Sequence, residues 1–289
     1  MNTPQSPITP DDLVRDISGL ITLPDVYLRI NRLIEDPNSS STDIAKAVSQ
    51  DASFTVKLLK MANSAVYNFS STVDTVGKAV TIIGTSQIRS LALSLSVASS
   101  FEGLPNDLVS MRNFWKHSLL CALTARHLCK EARRCDADAL FTAGLLHDIG
   151  ELIIFSRLPE QAKVALMLVL DSQEEVSVPE AETQTIGFDH AVVGGALARQ
   201  WNLPSMLQEC IAYHHAPAEA QKHPREAALI HIANTLAQLA EVDSLELDDA
   251  PAIDPAAWAV TGLDADVVEP VVRAAQQEFT DIEQLFLGQ

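Results

Sequence analysis

Apolar residues recur at three- and four-residue spacings along nearly all of this 289-residue chain, and period-two alternation is scarce. That period commits the chain to helices, because it places the apolar positions on one face of a 3.6-residue turn. Thr9-Pro10-Asp11-Asp12 combines a cap, a proline at the first helical position and two acids in the first turn. Leu23-Pro24-Asp25 opens a second helix, with Val26, Ile30, Leu33 and Ile34 on one face, and Asp36-Pro37-Asn38 stops it. Ser41 or Thr42 starts a third, and Asp51 caps a fourth carrying Phe54, Leu58, Leu59 and Ala62. Another helix follows Asp74 and closes at Gly84, where Thr85 caps a long apolar one through Leu91 and Val97. Gly103-Leu104-Pro105-Asn106 reads as an internal boundary. Beyond it, helices are expected over roughly 108–129, 136–146, 162–170, 190–199, 202–214 and 225–239. Two short helices finish the chain, near 255–260 and 266–286. The acidic segments 171–182 and 241–254 read as exposed and loop-like. The fold class is all-α.

The formal charge of −18 repels phosphate, so nucleic acid and anionic lipid are poor partners. No apolar run is long enough to cross a bilayer, and the polar, proline-rich first ten residues do not resemble a secretory signal. Cys121, Cys129, Cys135 and Cys210 form no CxxC pair. In a chain of this length they read as reduced, buried thiols, and a cytoplasmic protein is expected.

The chemistry, if any, lies in the histidines. His147-Asp148 ends one apolar helix, and His117 lies on the helix before it. His190 starts a later helix, and His214-His215 ends another. Imidazole and carboxylate groups from separate helices are how a helical bundle builds a site for iron, manganese or zinc. The bland alternative makes His147 a hydrogen-bonded core residue and Asp148 a cap. His127, His223 and His231 read as surface or hydrogen-bonded core residues, Cys121 as a buried thiol one turn from His117, and Lys57 and Lys60 as a solvated helix face.

Four stretches carry a resemblance. Leu23-Pro24, the segment Leu58-Leu59-Lys60-Met61-Ala62-Asn63-Ser64, Ala79-Val80-Thr81-Ile82-Ile83-Gly84, and Gly144-Leu145-Leu146-His147-Asp148-Ile149-Gly150 together resemble an HDOD domain. This is a bacterial signalling module distantly related to HD phosphohydrolases and to HD-GYP cyclic di-GMP phosphodiesterases. The resemblance implies an N-terminal helical bundle over 18–104 packed on an HD-like bundle over 105–239, with a C-terminal helical extension over 240–289. It also implies a metal-ligand set of His117, His147, Asp148, His190, His214 and His215. Two positions depart from the HD pattern. Asn234 stands where the final aspartate is expected, and Glu151 stands where the HD-GYP group has a lysine. The GYP tripeptide is absent, since Ala216-Pro217 follows His215.

An amide supplies no anionic charge to a cation, and an acid in place of the lysine repels a substrate phosphate. The expected function is therefore regulatory. The protein would act in signal transduction through protein or ligand interaction, without hydrolase activity, while keeping a site for iron, manganese or zinc. Its expected partners are signalling proteins, and a homo-oligomer is compatible with the reading. The competing expectation is a metal-dependent phosphohydrolase acting on a nucleotide or cyclic dinucleotide. Rings lying far apart in space would instead indicate a helical scaffold without a ligand.

Overall fold

The computed structural model describes residues 8–287 apart from 18–21, 65, 68, 70–71, 102–107 and 172–175. The boundary expected at Gly103-Leu104-Pro105-Asn106 therefore lies outside the described residues. Among them there is no strand.

Helices α1 (Pro10–Ile17), α2 (Asp25–Glu35), α3 (Ser41–Ser49), α4 (Ala52–Ala62), α5 (Val76–Ile83) and α6 (Thr85–Ser100) precede that segment. Their starts follow the capping chemistry of the sequence. Ser40 and Asp43 exchange hydrogen bonds as a capping box for α3, Asp51 accepts from Phe54 N at 2.8 Å, and Thr75 caps α5. α2 to α6 pack on one another, whereas α1 lies against two later helices, α9 and α12.

The second group is α7 (Met111–Ala132), α8 (Ala137–Leu146), α9 (Ile149–Arg157), α10 (Pro159–Asp171), α11 (Val178–Ile186), α12 (His190–Gln200), α13 (Ser205–Tyr213) and α14 (Pro224–Val242). α15 (Pro255–Thr261) and α16 (Val268–Leu287) complete the chain. α16 is one long helix packed along α7 and touching α14 and α4, so it ties the two groups together. Between α4 and α16 runs an open groove of about 850 Å³, with Lys60, Asn63, Ser64, Asp281 and Gln284 among its walls. One continuous apolar core links both groups. Among the described residues one unbroken segment, Ala137–Arg157, is apolar and long enough to suit a membrane span, and 83% of its apolar window is buried inside the fold.

Three expectations are corrected. Segment 171–182 is not all exposed loop: Ser177 and Glu180 form a capping box that starts α11, and Glu182 is buried. Helix α14 runs three residues past Leu239, which carries Glu241 onto a helix rather than into a loop. The cysteines are not all free. Arg133 and Arg134 both adopt positive φ after α7, and the reversal brings Cys135 to a Cα–Cα distance of 5.8 Å from Cys129, with a disulfide between them. Cys121 and Cys210 remain free and buried, so the cysteines give no basis for a uniformly reduced protein.

Two glycines set how closely the second group packs. A Cβ on Gly144 would lie 2.8 Å from Ala122 Cα, where α8 crosses α7. A Cβ on Gly150 would lie 1.9 Å from the carbonyl oxygen of His190. The glycine of the His-Asp-Ile-Gly segment thus lets α12 bring His190 up to Asp148. Gly77, by contrast, has nothing within 4 Å of its Cβ position. Chemical denaturation should therefore separate the two sites. Gly150→Ala should lose about 2–4 kcal/mol, because backbone has to move, while Gly77→Ala should be neutral or gain up to about 1 kcal/mol.

Candidate metal centre

All six histidine and aspartate residues singled out by the sequence meet in one place. α7 supplies His117, the α8–α9 junction His147 and Asp148, α12 His190, and the end of α13 His214 and His215. Asp148 is the centre. Its Oδ2 lies 3.0 Å from His147 Nε2 and 3.6 Å from His117 Nε2. Its Oδ1 lies 3.3 Å from His214 Nε2 and 3.4 Å from His190 Nε2. One carboxylate therefore faces two imidazole sets, one per oxygen. His215 joins the second set, with its Nε2 2.9 Å from His190 Nε2.

The opposite nitrogen of three of these rings is pinned. His147 Nδ1 donates to Gly144 O at 2.7 Å, His214 Nδ1 to Ile211 O at 2.8 Å, and His190 Nδ1 to Glu182 Oε2 at 2.7 Å. A carbonyl or carboxylate oxygen only accepts, so each Nδ1 carries a proton and each Nε2 is turned inward. This is how metal-binding imidazoles are oriented. Local sequence explains the His190 case. Gly187 ends α11 in the left-handed region at φ 98°, and Asp189 caps α12 by accepting from Val192 N at 3.0 Å. The tight turn between them folds Glu182 back onto His190, whose backbone N–H also donates to Glu182 Oε2 at 2.8 Å.

His117 is held differently. Its Nε2 lies 2.9 Å from Asn234 Oδ1, and its Nδ1 lies 3.3 Å from Glu241 Oε2. The amide of Asn234 thus engages the ring nitrogen that would otherwise face the centre. His231 is half-buried and hydrogen-bonded outside the cluster: its Nδ1 donates to His214 O at 2.7 Å and its Nε2 accepts from Asp254 N at 3.0 Å.

A cation fits this donor set. The Nε2 atoms of His147 and His214 are fully buried and face Asp148 at 3.0 and 3.3 Å without hydrogen-bond geometry. Asp148, His190, His214 and His215 offer ligand atoms that all lie within 4.8 Å of one another, as do His117, His147 and Asp148. Charge follows the same logic. Burial alone would raise the Asp148 carboxyl, but His147 beside it and the approach of His190 and His214 hold it well below the usual carboxylate range. Burial would lower His147 and His190, yet Asp148 and Glu182 respectively raise both well above the ordinary imidazole value. His214 has no such surplus of negative charge, and burial pushes it down to about 4. Without a cation, protons on His147 and His190 neutralise the carboxylates that a metal ion would otherwise neutralise.

The HDOD domain model matches residues 20–217. The chain belongs to the HDOD domain family. An uncharacterized protein of Treponema pallidum (strain Nichols) is 30% identical over 203 residues, 69% of this chain and 38% of that protein. The chain thus spans well under half the length of that relative. Three solved structures share the fold. An HDOD domain protein with unknown function from Geobacter sulfurreducens is 22% identical, covers 95% of this chain and 97% of its own, and superposes with a TM-score of 0.75. A candidate phosphohydrolase from Shewanella amazonensis SB2B is 21% identical, with the same coverage of 95% and 97% and a TM-score of 0.74. A candidate signal transduction protein from Marinobacter aquaeolei VT8 is 22% identical over 96% of this chain and 61% of its own, with a TM-score of 0.72. Likeness at these identities establishes the all-α HDOD fold.

Sequence reasoning missed two carboxylates of this HDOD protein. Glu182 and Glu241 each hold a site imidazole, but both lie in acidic runs that read as solvated loops. Glu151, three residues after Asp148, sits with Glu182 and His190 in a further group of close donors. Burial, and then the negative charge of Asp148, push its carboxyl up to about 7.

That shift has a measurable sign. Between pH 4.5 and about 7 the folded metal-free protein keeps a proton on Glu151 that the unfolded chain has lost, so this group's contribution to stability falls as pH rises through that window. Glu151→Gln removes the effect. Denaturation of metal-free protein should show the variant equal to wild type below pH 4.5, and more stable above pH 7 by on the order of 2–3 kcal/mol.

Proposed function

We propose that this HDOD protein is a regulatory module of bacterial signal transduction. It acts through protein or ligand interaction, lacks hydrolase activity, and keeps iron, manganese or zinc in its histidine–aspartate cluster. The observation that carries this reading is the pairing of Asn234 with His117 at 2.9 Å, where the related HD enzymes are expected to place a carboxylate. An amide in that position leaves His117 Nε2 facing a neutral group where a carboxylate would supply negative charge. Glu151 stands where HD-GYP enzymes carry a lysine, and Glu182 and Glu241 add further negative charge around the cluster.

A bound metal ion would supply Lewis acidity and an activated water to a phosphoester reaction. Asp148, His190, His214 and His215 would hold it, with His117, His147 and Asp148 as the second set of close ligand atoms. The chain's own residues do not supply the rest of that chemistry. Electrostatic stabilisation of a transferring phosphoryl group needs cationic side chains or donors aimed at its oxygens, and the acids around the cluster oppose it. His147, His190 and His214 are buried, and the more accessible side is formed by His117 and Glu241. The fold itself does not discriminate, since a candidate phosphohydrolase and a candidate signalling protein share it.

One observation favours a second reading, a metal-dependent HD-type phosphohydrolase or phosphodiesterase. Asp148 presents one oxygen to each of two imidazole sets, an arrangement suited to bridging two ions. A hydrolysis screen of manganese- and iron-loaded protein against nucleotides and cyclic di-GMP decides between them. We expect no turnover above that of His147→Ala. Turnover that disappears in His147→Ala would establish the hydrolase instead. Asn234→Asp should tighten manganese binding roughly tenfold in a chelator competition, because it restores an anion beside His117.

A further inference from the structure

Helix α10 carries an apolar stripe that none of the described residues covers. Val164, Met167 and Leu170 are 55%, 50% and 81% exposed and follow one another at three-residue spacing. The other exposed large hydrophobic residues, such as Leu28, Val56 and Val242, lie singly along the described chain. Single exposed apolar residues are ordinary, but a stripe on one helix face marks an interaction surface.

The charges flanking the stripe say what covers it. Lys163 and Asp171 are both exposed, and neither makes an ion pair among the described residues. At about 100° per residue they lie roughly 40° to either side of Met167, and Val164 and Leu170 lie roughly 60° to either side. The pattern is symmetric about Met167 in angle and in height, with opposite charges at the two ends.

We propose that α10 is a homodimer surface, with two copies of the chain pairing antiparallel through this stripe about a two-fold axis at Met167. An isologous contact of this kind is self-complementary. It sets Lys163 level with the partner's Asp171, and Asp171 level with the partner's Lys163. Val164 comes level with the partner's Leu170, and the two Met167 side chains meet at the axis. The apolar stripe supplies the attraction, and the two ion pairs fix the antiparallel direction.

Sedimentation velocity of the full chain over a rising concentration series tests this. Wild type should move from monomer to dimer as concentration rises. Leu170→Glu, a change at an exposed position, should hold the protein monomeric with an unchanged circular dichroism spectrum. Lys163→Glu and Asp171→Lys should each weaken the dimer roughly tenfold, since each sets like charges level across the axis. The double variant Lys163→Glu/Asp171→Lys should restore wild-type association, because the exchange rebuilds both pairs. Three results would overturn the proposal: a wild type monomeric at every concentration, a dimer indifferent to Leu170→Glu, or a double variant no better than the single ones.

Discussion

A carboxylate buried among helices persists only where positive charge or hydrogen-bond donors meet both of its oxygens. Asp148 is that carboxylate here, and the second half of the fold is arranged around it. His147 and His117 approach one oxygen, and His190 and His214 the other. Three helices and one helix junction must end or cross at the right depth for this to happen. Gly150 allows the closest of these crossings, since a side chain there would strike the backbone of His190. The His-Asp-Ile-Gly segment is thus one physical unit, in which the pair supplies chemistry and the glycine supplies the space for a third ligand-type residue.

Around that centre the protein pins three of the imidazoles from behind. Backbone carbonyls hold His147 and His214, and Glu182 holds His190. The His117 corner differs: an amide and a partly exposed glutamate hold it, and no second carboxylate faces inward. One side of the cluster is therefore rich in buried donors, and the other has lost its anion. That asymmetry is what supports the proposed reading, in which the site retains a cation without turning over a phosphoester.

Much of this was legible in the sequence. The helical period, the cap at Asp51 and the stop at Gly84 are local signals, and the helices begin and end close to where those residues place them. The histidines were recognisable because imidazoles spread over several helices have few other uses as a group, and the family resemblance ordered them. Glu182 and Glu241 were not legible. Each sits in an acidic run whose composition favours solvent, and only the turn at Gly187 and the extension of α14 carry them inward. The Cys129–Cys135 bridge was hidden for a related reason, since two arginines in left-handed conformation create the reversal that joins the cysteines. Single-residue backbone choices decided each of these cases, and residue periodicity does not encode them.

The claim that the Asp148 cluster is a cation site is tested most directly by elemental analysis of untagged protein purified without added metal, alongside Asp148→Ala prepared in the same way. The account predicts near-stoichiometric iron, manganese or zinc in the wild type and its loss in the variant. A correctly folded wild type that carries no transition metal, and takes up none when it is supplied, would contradict it.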